Sequence, residues 1–90
     1  MNDGPIKSYQ DLKVWNAAME LAEETYRVTK GFPKEEVFGL SAQMRRCAVS
    51  VPSNIAEGFG RENRGSFAQF LRIAQGSLKE LETQSLLAGR

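Results

Sequence analysis

The sequence predicts an all-α protein, an antiparallel helical bundle, and three observations lead there. Apolar residues recur at alternating steps of three and four along most of the chain, the spacing that lines one face of a helix. No stretch alternates apolar and polar residues in the manner of a half-buried strand. Glycine and proline gather around residues 31–33 and 58–60, which cuts the periodic pattern into three segments.

Met1–Lys7 carries Asn2, Gly4 and Pro5 and reads as a disordered lead-in. Ser8 then suits an N-cap, with Asp11 near the exposed amides of the first turn, and a first helix is expected over about 9–30. Leu12, Trp15, Met19, Ala22 and Tyr26 form its main apolar stripe, widened by Val14, Ala18, Leu21, Thr25 and Val28. Gly31 and Pro33 stop it.

Pro33 also fits the first position of a second helix, expected over 34–57, with Glu35 and Glu36 in its opening turn. Its apolar stripe runs Val37, Leu40, Met44, Cys47 or Ala48, Val51 and Ile55. The stripe stays in phase across Pro52, although an interior proline costs about 3 kcal/mol. An unbroken stripe predicts one kinked, continuous helix. Beside it lies a polar seam, Gln43, Arg46, Ser50, Asn54 and Glu57. Polar groups buried without partners cost about 1–3 kcal/mol each, so partners are expected. Gly58 and Gly60 end this helix and Arg61–Gly65 makes a polar connector. Ser66 to Gln69 has the capping-box pattern of a third helix over 67–88, whose apolar face is Phe67, Phe70, Leu71, Ala74, Leu78 and Leu81.

Composition narrows the function classes. Ninety residues make a single domain with a modest core, and a net charge of +1 exerts no general pull on nucleic acid or membrane. Charge is unevenly spread: residues 1–40 hold five Lys/Arg against seven Asp/Glu, while residues 41–75 hold five arginines against two glutamates. Cys47 is the sole cysteine, so a bridge-stapled secreted scaffold is excluded. There is no signal pattern and no apolar run of about 18 residues, so the expectation is a cytoplasmic protein without a membrane partner. There is also no histidine, which removes Ser-His-Asp and Cys-His catalysis and His-metal sites. No catalytic residue, metal or cofactor is expected.

Arg45 and Arg46 suit phosphate binding, but the favoured reading pairs them with Glu80 or Glu82 on the third helix, or with acids of a neighbouring subunit. Ser50, Asn54 and Glu57 read as an inter-helix polar network that fixes register, rather than as ligand contacts. The structural network so expected comprises Gln43, Arg46, Ser50, Asn54, Glu57, Glu80 and Glu82. Arg61 and Arg64, on the connector, are the better nucleic-acid candidates, against plain solvation. Trp15, Tyr26, Phe67 and Phe70 read as core and Cys47 as a small buried hydrophobe. Gly58-x-Gly60 is too short for a nucleotide loop. The pairs Glu23/Glu24 and Glu35/Glu36 do not converge.

Several motifs together resemble a known family. They are Leu12-x-x-Trp15, Phe32-Pro33, Gly39-Leu40-x-x-Gln43-x-Arg45-Arg46, Ser50, Asn54-Ile55-Ala56-Glu57-Gly58, and Phe70-Leu71-x-Ile73-Ala74-x-Gly76-Ser77-x-x-Glu80-Leu81-Glu82. The chain resembles the four-helix-bundle proteins of the 23S rRNA intervening-sequence family over roughly residues 9–88. It is also similar to accessory proteins of diversity-generating retroelements. The resemblance implies an antiparallel bundle that assembles into a ring, usually a pentamer, and in the retroelement relatives a reverse transcriptase and nucleic acid as partners. The family has a fourth helix where this chain shows only three. Leu71, Leu78, Leu86 and Leu87 are therefore expected to lack some internal partners, which favours a homo-oligomer, a ring or a dimer.

The function expected is that of a non-catalytic oligomeric binding module for nucleic acid or a nucleic-acid enzyme. The alternatives are a structural or selfish rRNA-insert product with no specific ligand and, last, a small hydrolytic enzyme.

Overall fold

The computed structural model describes residues 5–36 and 39–90. Among them lie three α-helices: α1 (Lys13–Thr29), α2 (Leu40–Gly60) and α3 (Arg64–Ala88). Single 3-10 turns occupy Tyr9–Asp11 and Lys34–Glu36, and no strand occurs among the described residues. The all-α expectation stands.

The first helix starts later than the pattern suggests. Ser8 does form a capping box with Asp11: the Ser8 side chain accepts from the Gln10 amide, and the Asp11 carboxylate accepts from the Ser8 amide at 3.1 Å. It caps a single 3-10 turn, because Leu12 is extended (φ −77°, ψ 128°) and turns the chain before α1 begins. Asn16 holds the corner, donating through Nδ2 to the carbonyls of Gln10 (3.0 Å) and Leu12 (2.9 Å). The bend lets Leu12 pack on the core.

The line that α1 buries is Ala18, Ala22, Thr25 and Thr29, which runs between the two expected stripes. Small side chains allow close approach to α2. The larger Met19 and Tyr26, and Val14 and Val28, straddle the contact and stay exposed. Tyr26 is thus not a core residue; its side chain is 43% exposed.

The second helix also starts late. Pro33 leads into one 3-10 turn, and α2 begins at Leu40 with Gly39 as an N-cap that has no side chain to offer. Val37 of the expected stripe lies outside the described residues, as do Met1–Gly4. From Leu40 the helix runs without a break through Pro52, whose ring is buried. It ends at Gly60 rather than 57. Its buried face is Ser41, Met44, Ala48, Val51, Pro52, Ile55 and Gly58.

The connector shrinks to Arg61–Asn63. Glu62 adopts a left-handed φ of 59°, and the Asn63 side chain accepts from the Ser66 amide at 2.8 Å. Asn63, not Ser66, is therefore the N-cap of α3, and the expected Ser66–Gln69 box is not used. Asparagine caps as well as serine does, and capping three residues earlier adds most of a helical turn.

Two apolar clusters hold the helices. Ala18, Val51, Ile55 and Ala74 form one, flanked by Leu12, Trp15, Phe67 and Leu71. Ala22, Met44, Ala48 and Leu81 form the other, flanked by Leu21, Phe32, Leu40 and Cys47. Both are centred on α2. No Cα of α1 comes within 8 Å of a Cα of α3. Helix α2 is the middle member, and the outer two lean on it without closing on each other.

Candidate functional site

The arginines fall into different environments. Arg61 pairs with Glu57 at 3.0 Å, one turn earlier on the same helix, and its guanidinium lies 5.2 Å from the centre of the Phe70 ring. Arg64 opens α3 and is exposed. Arg45 is half-buried. Its Nε donates to Thr29 Oγ1 at 2.8 Å, and its guanidinium lies over the Tyr26 ring, 4.9 Å from the centroid. Thr29 in turn donates to the Thr25 carbonyl at 2.8 Å, so its oxygen remains an acceptor for Arg45. The expected pairing of Arg45 and Arg46 with Glu80 and Glu82 does not occur among the described residues. Glu82 pairs instead with Lys79 on its own helix at 3.8 Å, because an i,i+3 neighbour is nearer than another helix.

The polar seam separates into three parts. Asn54 Nδ2 donates to the Ser50 carbonyl (2.8 Å) and to Ser50 Oγ (2.9 Å), and Ser50 Oγ shares a hydrogen bond of 2.8 Å with Ser77 Oγ on α3. That chain crosses between helices. Glu57 turns outward to Arg61. Gln43, Arg46 and Glu80 line a polar hollow between α2 and α3 together with Cys47 and Gln84. In it they stand near one another without a hydrogen bond or ion pair among the described residues. Gln84 Oε1 is buried without a partner among the described residues, and so is Ser41 Oγ at the start of α2. Cys47 is half-buried, packed against the second cluster.

The separation of α1 from α3 leaves a trough of about 380 Å³. Leu21 and Val28 form one wall, Leu78 and Leu81 the other, and Met44 contributes from α2; Glu24, Lys79 and Glu82 stand along it. Further along α3, Leu86 and Leu87 are 70% and 60% exposed. Leu71 differs, being half-buried against the first cluster.

Among the described residues no helix is long and apolar enough to cross a membrane, and no group of three acids or cysteines stands close enough to hold a metal ion. The family model described as 23S rRNA-intervening sequence protein matches residues 10–90. The chain belongs to that family. No curated protein matches it.

The motif segments Asn54–Gly58 and Phe70–Glu82 meet along the α2–α3 seam, Phe32-Pro33 lies at the α1–α2 corner, and Leu12-x-x-Trp15 packs against the first cluster at the start of α1. Thr29, Tyr26 and Ser77 are the partners that the pattern did not reveal. Thr29 sits four residues beyond Thr25 on the buried line of α1, which is the one sign that it faces α2.

Proposed function

We propose that this family member is a non-catalytic, oligomeric helical-bundle protein that serves as a binding module for nucleic acid or for an enzyme acting on nucleic acid. The observation that carries the reading is its arginine set. Of the five arginines between residues 41 and 75, Arg61 alone has a carboxylate partner among the described residues; Arg45, Arg46, Arg64 and Arg72 have none. A guanidinium without a carboxylate keeps its planar donors for phosphate oxygens. The self-pairing of Arg61 moves the weight of the proposal from the connector to Arg45, Arg46, Arg64 and Arg72.

Self-association is supported by the trough and by Leu78, Leu86 and Leu87. Leu78 stands in the trough wall, and Leu86 and Leu87 are exposed near the end of α3. An uncovered leucine forgoes about 1.5–3 kcal/mol of burial, so such side chains favour assembly. The choice of a nucleic-acid enzyme as partner, a reverse transcriptase for example, rests on the resemblance alone.

The test is a titration of labelled oligonucleotides, RNA and DNA, single- and double-stranded, at increasing salt. Binding at low salt that weakens steeply as salt rises, with little sequence preference, is the expected result. Absence of binding at low salt removes nucleic acid and leaves a protein partner.

A further inference from the structure

Arg45 differs from the other arginines in being built into a corner. Its Nε is fixed by Thr29 Oγ1 at 2.8 Å, and the Tyr26 ring supports its guanidinium at 4.9 Å. Thr29 is itself anchored, since its hydroxyl donates to the Thr25 carbonyl and its side chain is buried. One edge of the guanidinium is thus used to orient it. The terminal nitrogens make no ion pair among the described residues. An arginine held in this way loses less conformational freedom on meeting an oxyanion than one swinging from the surface. The surroundings point the same way. Lys30, which caps the end of α1 four residues beyond Tyr26, is exposed, as is much of the tyrosine. Glu23, one turn before Tyr26, is the acid on that side of α1. A fixed cation beside an exposed aromatic ring is the combination with which proteins hold a single strand, the cation taking phosphate and the ring offering a stacking face.

We propose that Arg45, oriented by Thr29 and Tyr26, is the main phosphate contact of a single-stranded nucleic-acid site at the α1–α2 corner. The inference rests on the nucleic-acid reading and adds its location. A neutral Arg45 removes one phosphate contact, so the slope of log affinity against log salt becomes shallower by about 0.7 for a single strand. Loss of a charge-assisted hydrogen bond weakens binding by about tenfold or more. Arg61, already neutralised by Glu57, loses far less.

The test compares a short labelled single-stranded oligonucleotide on the full chain and on Arg45→Gln, Arg61→Gln and Thr29→Val, by fluorescence anisotropy across salt. The two arginine variants change net charge equally, so a general field effect moves them together. The site expects Arg45→Gln to weaken binding and flatten the slope, and Arg61→Gln to do little. Thr29→Val keeps the charge and leaves the slope alone but weakens binding, because the guanidinium is no longer oriented. A wild-type NMR titration covers the event that Arg45→Gln fails to fold: the Arg45 Nε–H resonance shifts on adding the oligonucleotide. If Arg45→Gln and Arg61→Gln behave alike, or the Arg45 resonance does not move while the oligonucleotide binds, the corner site is wrong and the nucleic-acid reading survives. If the wild-type chain does not bind at low salt, both fall.

Discussion

The seam between α2 and α3 is closed, whereas the space between α1 and α3 is open, and the contrast separates the contacts that hold this molecule together from an apolar face that none of its described helices covers. At the closed seam Gly58 meets α3 so tightly that an added Cβ would lie 2.5 Å from Phe70 Cβ. The Phe59 and Phe67 rings stack edge-on at 5.9 Å, and Ser50 reaches Ser77 across the gap. At the open side, Leu21, Val28 and Leu78 face a trough with no helix on it. The closed seam uses glycine, aromatic rings and serine, the open side branched aliphatics. The difference is the three-residue turn at Arg61–Asn63, which forces α2 and α3 together, while α1 and α3 are separated in sequence by the whole of α2.

Breaking the shared core should cost most. Ile55 is 2% exposed and belongs to the cluster that joins all three helices. Ile55→Ala is expected to destabilise by about 2–5 kcal/mol, a fall in thermal midpoint that circular dichroism reads directly. A change within a few degrees would mean that the helices are held elsewhere.

The closed seam itself is tested by Gly58→Ala. On helix propensity alone alanine gains about 1 kcal/mol over glycine. Overpacking against Phe70 Cβ opposes it with about 1–3 kcal/mol, so a net loss is expected. A rise in the midpoint would show that α2 and α3 are farther apart than this geometry has them. Asn54→Ala comes next: it strips the Ser50–Ser77 pair of its neighbour, with a cost of about 1 kcal/mol. An unchanged midpoint combined with lost oligonucleotide binding would turn Asn54 from a register residue into a ligand contact.

Helix identity is legible in the sequence because period and punctuation agree, and the stripe keeps phase on both sides of Pro52, through which α2 runs unbroken. Helix starts were less legible. Ser8 and Pro33 are good opening residues that here open only single 3-10 turns, since nothing local says that Leu12 will extend to reach the core. Asn63 and Ser66 compete as caps three residues apart, and propensity does not choose between them. The polar partners were the hardest part. Ser50 and Asn54 were visible as a seam, but Ser77 and Thr29 become partners only through how the helices rotate against each other. Glu82 suits a partner on another helix by pattern, yet Lys79 lies closer along its own.

We propose that the open side is a surface for association, and light scattering coupled to size exclusion tests this. The wild-type chain at micromolar concentration is expected to run as a homo-oligomer, and Leu78→Lys, which places a charge in the trough wall at a side chain 42% exposed, to shift it toward monomer without unfolding it. A well-folded wild-type monomer at that concentration would contradict the claim.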